Sequence, residues 1–290
     1  MRYPAGKSGA EYTIPDYVTS ISGGAFEGCS SLTEIDIPNS VTSIWWNTFM
    51  GHSSLTEINV SENNTEYSSD NGVLFNKDKS ELIRYPASKS VAEYTIPDYV
   101  TSISGGAFEG CSSLSEINIP SNVMSVGNYA FRGCKNLSEV VISEGVKFIG
   151  SSAFASCTNL NKITIPESVS LIYHAFVNCD NLTIYGYEDS YAQTYAIENN
   201  ITFKLVGEPD FETGDVDENG VVDNVDSTFV LIEYTLTSTG QEGTFTDEQK
   251  KAADVNGDDR VDNVDSTFIL SYYTYIATGG EGTFSDYMNN

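Results

Sequence analysis

IPDYVTSISGGAFEGCSSLTEID, residues 14–36, returns as IPSNVMSVGNYAFRGCKNLSEVV at 119–141 and as ISEGVKFIGSSAFASCTNLNKIT at 142–164. Units in this phase begin at Ile14, Ile37, Ile96, Ile119, Ile142 and Ile165, a period of 23 residues. Each carries a valine early (Val41, Val123, Val146, Val169), a small residue before phenylalanine such as Ala25-Phe26 or Ala130-Phe131, then Cys, Leu and Ile. A unit this short cannot enclose its own apolar face, and stacking on neighbours is what buries it. The stretch Leu32-Thr33-Glu34-Ile35-Asp36-Ile37 alternates apolar and polar, which predicts a strand with one inward face. The Ala-Phe-x-x-Cys segment predicts a compact turn or short helix on the other side of the coil.

The repeat therefore predicts a leucine-rich-repeat solenoid of short parallel strands joined by turns or short helices. It resembles the BspA-like class of bacterial leucine-rich repeats, and the resemblance spans roughly residues 1–206. Between the second and third units lies an insert, 60–95, in which two β-rich runs flank Asn76-Lys77-Asp78-Lys79-Ser80 and predict a hairpin. A longer repeat overlies the short one. Residues 2–35 match 84–117 at an offset of 82, differing only at Gly6/Ser88, Gly9/Val91 and Thr33/Ser115. The chain thus opens in the middle of a long unit, and the expectation is a C-terminal piece of a longer protein. The array ends at Ser190, which starts a predicted helix that stops at Asn199-Asn200; Ile201–Leu205 then alternates as a closing strand.

Charge narrows the partners. The 290 residues carry 41 acidic and 14 Lys or Arg side chains, a net charge of −27. Such a surface repels a nucleic-acid backbone and an anionic membrane. No apolar run approaches the roughly 18 residues that a bilayer span requires. The charge is uneven: residues 1–206 hold 22 acids against 11 bases, whereas 207–290 hold 19 against 3. Carboxylates packed at that density call for a counter-ion.

The repeats offer little for catalysis. Five cysteines (29, 111, 134, 157, 179) share one repeat position, which describes a ladder of buried thiols rather than a disulfide framework or a zinc site. Unpaired thiols in a secreted chain point to an anaerobic source or deep burial. The two histidines, His52 and His174, lie in no nucleophile or zinc motif, and nothing singles out a pair of glycosidase carboxylates. The unit at 37–59 departs most from the pattern, with Trp45-Trp46 where the first has Ser22-Gly23, Thr48 for Ala, and His52 for Cys. The tryptophans are either an exposed contact for a glycan or protein or a local repacking beside the insert.

After a short acidic linker, 207–213, GDVDENGVVDNVDSTFVLIEY at 214–234 is echoed by ADVNGDDRVDNVDSTFILSYY at 253–273. Both have the oxygen-ligand spacing of a twelve-residue EF-hand loop. Positions 1, 3, 5, 7, 9 and 12 are Asp215, Asp217, Asn219, Val221 (through its carbonyl), Asp223 and Asp226 in the first loop. In the second they are Asp254, Asn256, Asp258, Arg260 (carbonyl), Asp262 and Asp265. These candidates predict two bound calcium ions. Position 12 is Asp instead of the longer Glu, so closure needs the exiting helix to sit near the ion. Position 6 is Gly220 in one loop but Asp259 in the other, where a left-handed turn strains a non-glycine residue, so the second site is expected to be the weaker. Pro209–Gly214 cannot make an entering helix, whereas Thr246 caps a helical approach to the second loop.

A duplicated loop–helix pair joined by a short helix resembles a dockerin, here over 214–290. The fold class implied is multidomain: the solenoid with one inserted β-hairpin, then a small α-helical EF-hand-like dockerin. The resemblance implies a cohesin of a scaffoldin as partner. Matched position by position, the contacts fall at Asn224, Val225, Leu231 and Ile232 in one copy and Asn263, Val264, Leu270 and Ser271 in the other. These are more apolar than the hydroxyl and basic residues that many dockerins carry there. VDNVDSTF, identical at 222–229 and 261–268, implies a pseudo-twofold. The resulting expectation is a secreted, non-catalytic cellulosome or cell-surface component whose repeats recognise an unidentified protein or glycan. The alternatives are the C-terminal part of a cellulosomal enzyme, a glycosidase or peptidase with its catalytic module upstream, and an adhesin or inhibitor.

Overall fold

The computed structural model describes residues 9–26, 29–207, 213–217 and 219–289. It divides into two compact units, 1–206 and 207–290. The linker residues 208–212, including most of the stretch expected to exclude an entering helix, lie outside the described residues, as do 1–8 of the long repeat.

In the first unit each 23-residue turn contributes a rung to two parallel ladders. The longer strands Glu116–Ile119, Glu139–Ile142, Lys162–Thr164, Thr183–Gly186 and Thr202–Leu205 form one sheet; Glu11–Thr13, Glu34–Ile37 and Glu57–Val60 form another. Register follows the period, with Glu116 opposite Glu139 and Glu139 opposite Lys162. Their alternation buries Ile117, Val140 and Ile163. A second ladder of two-residue strands, such as Ser125–Val126 and Phe148–Ile149, was not anticipated; two residues are too few to show a period.

The Ala-Phe-x-x-Cys segments are turns. Their N–H groups point along the stack instead of up a helix. Those of Gly106, Phe108 and Gly110 donate to the carbonyls of Asn128, Ala130 and Arg132 at 2.9, 2.7 and 2.9 Å, and the next turn repeats the pattern one unit on. Inside, the phenylalanines stack face to face, with centroids of Phe108–Phe131 at 4.8 Å and Phe131–Phe154 at 5.0 Å. The five cysteines are buried and form no disulfide. The thiols of Cys134, Cys157 and Cys179 each donate to a phenylalanine carbonyl one turn back, at 3.1 Å. Burial pushes the Cys179 thiol up to about 12, and Cys134 also lies well above the ordinary thiol value, held by hydrogen bonds to its neighbouring thiols and by burial. Protonated thiols of this kind are poor nucleophiles and metal ligands.

The insert is a three-stranded meander. Val73–Asn76 and Glu81–Arg84 pair antiparallel as expected, and Tyr67–Asp70 adds a strand before them through the tight turn Asn71-Gly72, at φ 48° and 74°. The flanking residues Tyr67-Ser68-Ser69-Asp70 are all half-buried and mostly polar, so apolar periodicity did not mark them. Glu81–Arg84 then joins the short-strand ladder in parallel with Ser102–Ile103. Here the chain passes from Ile83 to Tyr85 without the usual turn. The Tyr85 ring takes the missing place in the aromatic stack, 5.2 Å from Phe108, and its N–H donates to Ala107 at 2.7 Å. The remaining carbonyls are met by the buried Arg84 guanidinium, which donates to Gly106, to Glu109 at 3.1 Å and to His52 at 3.4 Å. A fork of fixed N–H donors replaces the backbone donors of the absent turn. His52 is buried beside it, and burial and the Arg84 charge hold its pKa below the usual imidazole value.

The solenoid closes as the sequence predicts. Helix α1, Tyr191–Glu198, is capped by Ser190, whose side chain accepts from Gln193 N, and it ends at Asn199; the strand Thr202–Leu205 follows. Tyr195 sets its ring edge-on to Phe176 at 5.9 Å, and its hydroxyl takes the N–H of Ala175 at 3.1 Å.

Among its described residues the second unit has four helices: α2 Asn224–Ser238, α3 Asp247–Ala253, α4 Asn263–Ala277 and α5 Phe284–Met288. Thr246 caps α3 in a reciprocal box with Gln249. Val216, Val230, Ala252, Ile269 and Phe284 form a small core. Such a core is thin for a domain of this size.

Arg84→Met should lower the stability of the first unit by about 2–4 kcal/mol, because two or three buried carbonyls lose a donor at about 1 kcal/mol or more each. Arg84→Lys should rescue less than half, since one ammonium cannot span the carbonyls that the fork reaches. Chemical denaturation that showed either variant as stable as the parent would contradict this role.

Candidate metal and docking site

The two loops reproduce each other bond for bond. In the first, Asp215 accepts from Asn219 N at 3.1 Å through one oxygen and from Gly220 N at 2.9 Å through the other. In the second, Asp254 accepts from Asp258 N at 3.1 Å and Asp259 N at 2.8 Å. At position 12, Asp226 accepts from Val216 N and Asp217 N through one oxygen (2.7 and 3.0 Å) and from Asp223 N through the other (2.8 Å). Asp265 does the same with Val255, Asn256 and Asp262. Both aspartates sit in the first turn of their helix, in a reciprocal cap with Asp223 or Asp262. That is how a short side chain reaches the loop: the helix begins against it. Gly220 and Asp259 are both left-handed, at φ 85° and 62°, as position 6 requires.

Carboxylate oxygens of Asp215, Asp217 and Asp226 lie within 4.8 Å of one another. Burial pushes the carboxyls of Asp226 and Asp265 above the usual range, against the pull of the backbone amides. Converging hard oxygens, two of them from fully buried carboxylates, fit a calcium ion. Asn219 Oδ1 and Asp258 Oδ1 are held by the N–H two residues on, at 2.8 and 3.0 Å. The second loop differs at Arg260, whose guanidinium lies 3.7 Å from Asp262, a candidate ligand.

Helices α2 and α4 cross at a point of local symmetry. Ser227 and Ser266, 39 residues apart, meet there with hydroxyl oxygens at 2.8 Å, and each hydroxyl is also within hydrogen-bond reach of the other's carbonyl, at 3.2 and 3.1 Å. Around this axis Asn224, Val225, Leu231 and Ile232 are exposed on α2, as are Asn263, Val264 and Leu270 on α4; Ser271 is half-buried and donates to Thr267 O. Val225 and Val264 match closely, at 41% and 44% exposed. Two exposed phenylalanines at equivalent positions, Phe229 and Phe268, enlarge the apolar face beyond the residues anticipated. The identical VDNVDSTF octapeptides contain both, and helical phase could have separated them from the core. Glu233 and Tyr272, symmetry mates of different chemistry, are buried and do not enter this face. Glu233 accepts from Thr244 and Phe245, and Tyr272 donates to Gly282 O. Each ties down one copy of a recurring loop, Thr-Gly-x-Glu-Gly-Thr-Phe, at 239–245 and 278–284.

Among the first-unit candidates, Trp45 and Trp46 are both exposed, at 58% and 57%, and Trp46 stacks on Tyr129. Thr48, in the place of alanine, is buried with its hydroxyl on the carbonyls of Ile21 and Ser22.

Comparison with known proteins assigns both units. The BspA type leucine rich repeat region matches 6–88 and 85–204 in six copies, and the dockerin type I domain matches 213–272. Both are non-catalytic modules, and no enzymatic domain is matched. A leucine-rich repeat protein from Eubacterium ventriosum is 28% identical over 61% of this chain and 54% of its own, with a TM-score of 0.51. A leucine rich cell surface protein from Faecalibacterium prausnitzii is 29% identical over 64% of this chain and 62% of its own, with a TM-score of 0.48. The chain thus spans about half to three-fifths of the length of these relatives. No curated protein matches. No helix among the described residues is long and apolar enough to cross a membrane. The chain belongs to the BspA-type leucine-rich repeat family and carries a C-terminal dockerin type I domain.

Proposed function

We propose that the chain is a non-catalytic component of an extracellular or cell-surface assembly of the cellulosome type. Residues 214–290, after the linker 207–213, dock on a cohesin of a scaffoldin, and residues 1–206 present a recognition surface for a protein or glycan. The observation that carries the reading is the repetition, at an offset of 39 residues, of the carboxylate geometry and of the exposed apolar helix face beside it. Two calcium ions neutralise the loop carboxylates when bound. The chain's own part is to orient them: Asp226 and Asp265 close each loop onto the first turn of its helix, so the loops set how α2 and α4 present Val225, Leu231, Val264 and Leu270. The Asp262–Arg260 pair and the strained Asp259 support a weaker second site. Five buried cysteines that form no disulfide fit a protein of an anaerobic bacterium.

Titration calorimetry on the whole chain should find about two calcium ions bound. Asp226→Asn should remove one of them and leave the other, as should Asp265→Asn. A parent chain that takes up no calcium would contradict the metal assignment.

The local twofold gives two equivalent docking faces, differing chiefly at Ile232 against Ser271. Val225→Asp alone should change cohesin affinity by less than about fivefold, as should Val264→Asp alone, because rotation by about 180° offers the other copy. The double variant should lose about 100-fold or more, the loss expected when a charge enters an apolar contact at both faces. Loss of binding in either single variant with calcium uptake intact would show one working face.

A further inference from the structure

The repeat pattern places small or polar residues at the corner after most short strands: Ser22-Gly23, Ser104-Gly105, Gly127-Asn128, Gly150-Ser151. The second unit breaks it with Trp45-Trp46. Because the insert omits a turn at this level, Trp46 can lie across Gly105, 3.7 Å from where a Cβ would stand, and reach the ring of Tyr129 in the fourth unit. The two rings are nearly parallel, at 13° with centroids 6.4 Å apart in an offset stack. Tyr129 holds its position at a left-handed φ of 60°, and the Arg132 guanidinium lies 5.7 Å from its centroid, itself matched by Glu109 at 3.6 Å. The exposed Tyr173 occupies the Trp45 position two repeats beyond Tyr129, about 10 Å along the stack at a strand spacing of about 4.8 Å.

Resting on the reading of residues 1–206 as a recognition module, we propose that Trp45, Trp46 and Tyr129 form a shelf that binds a neutral polysaccharide chain, with Tyr173 as a further station along it. A pyranose ring has an apolar C–H face, which stacks on an exposed aromatic ring, and a hydroxyl rim, which needs polar neighbours. The shelf supplies both. Its rings stand beside Gly105 and Asn128 at the corners of the neighbouring turns, and at roughly 150–250 Å² each they fall short of the about 800 Å² per partner that a stable protein interface buries. Local charge is balanced by the Arg132–Glu109 pair, and the excess of acids over bases in 1–206 disfavours an acidic glycan.

The test is direct because Trp45 and Trp46 are the only tryptophans in the chain. Cellohexaose, xylohexaose and mannohexaose are titrated into the whole chain while tryptophan emission is followed, with affinities measured independently by calorimetry. At least one hexasaccharide should shift the emission saturably. Tyr129→Asn, which suits the left-handed backbone and keeps both tryptophans, should weaken it about tenfold, and Trp46→Ser should weaken it further. An oligosaccharide that binds equally well to both variants would overturn the shelf while leaving the repeats a recognition module. No response to any of the three sugars would overturn the proposal, as would a protein partner lost with Trp46→Ser in their absence; neither result bears on calcium uptake or cohesin docking by 214–290.

Discussion

In the solenoid, every N–H that points along the axis must meet a carbonyl of the neighbouring turn, one repeat of 23 residues away. Ordinary rungs satisfy this with backbone alone, as Phe108 to Ala130 and Phe131 to Ala153 illustrate, both at 2.7 Å. The phenylalanine stack and the thiol ladder fill the interior behind those bonds. The departures are where the rule is hardest to keep. The insert skips a turn, and a buried arginine with a tyrosine ring restores the missing donors and the missing rung. At the end of the array, Tyr195 supplies a hydroxyl acceptor for the last turn and an aromatic edge for the last phenylalanine. The ladder constrains the backbone, which is why the side chains at Trp45 and Trp46 can differ so much from Ser22 and Gly23 without disturbing it.

The second unit obeys a different constraint. Its apolar core is small, and its two buried position-12 aspartates accept only backbone amides within the described hydrogen bonds, so desolvation weighs against their charge. A divalent cation reverses that balance by turning mutual repulsion into coordination. The elements around the loops are otherwise self-satisfied: Glu233 and Tyr272 each hold a recurring loop, and Ser227 and Ser266 close the helix crossing. Duplication makes the arrangement nearly symmetric, with the differences placed in the interior as much as on the docking face.

Much of this was legible in the chain. Six phased copies announced the stack, and Ser190, Thr246 and Asn199 marked helix boundaries that the structure keeps. The loop positions could be read because oxygen ligands recur at fixed spacing. What escaped had physical reasons. Strands such as Ser125–Val126 are too short to show alternation. Tyr67–Asp70 is polar because neither of its faces is fully buried. Nothing local to Arg84 reveals that it stands in for a missing turn, because the carbonyls it meets lie more than twenty residues away in sequence. Phe229 and Phe268 lie in the same octapeptide as core residues, and only the helix crossing at Ser227 and Ser266 shows which side faces inward.

The central claim is that two units of one chain are held by different means, one by hydrogen bonds between stacked turns and the other by cations in paired loops. Amide hydrogen exchange on the whole chain, followed residue by residue with and without a calcium chelator, tests it most directly. The account predicts that Phe108, Phe131 and Phe154 remain protected in both conditions, while Gly220, Asp259 and the amides of α2 and α4 lose protection on chelation. Protection of α2 and α4 that is indifferent to the chelator, or a loss shared by the turn amides of the solenoid, would contradict it.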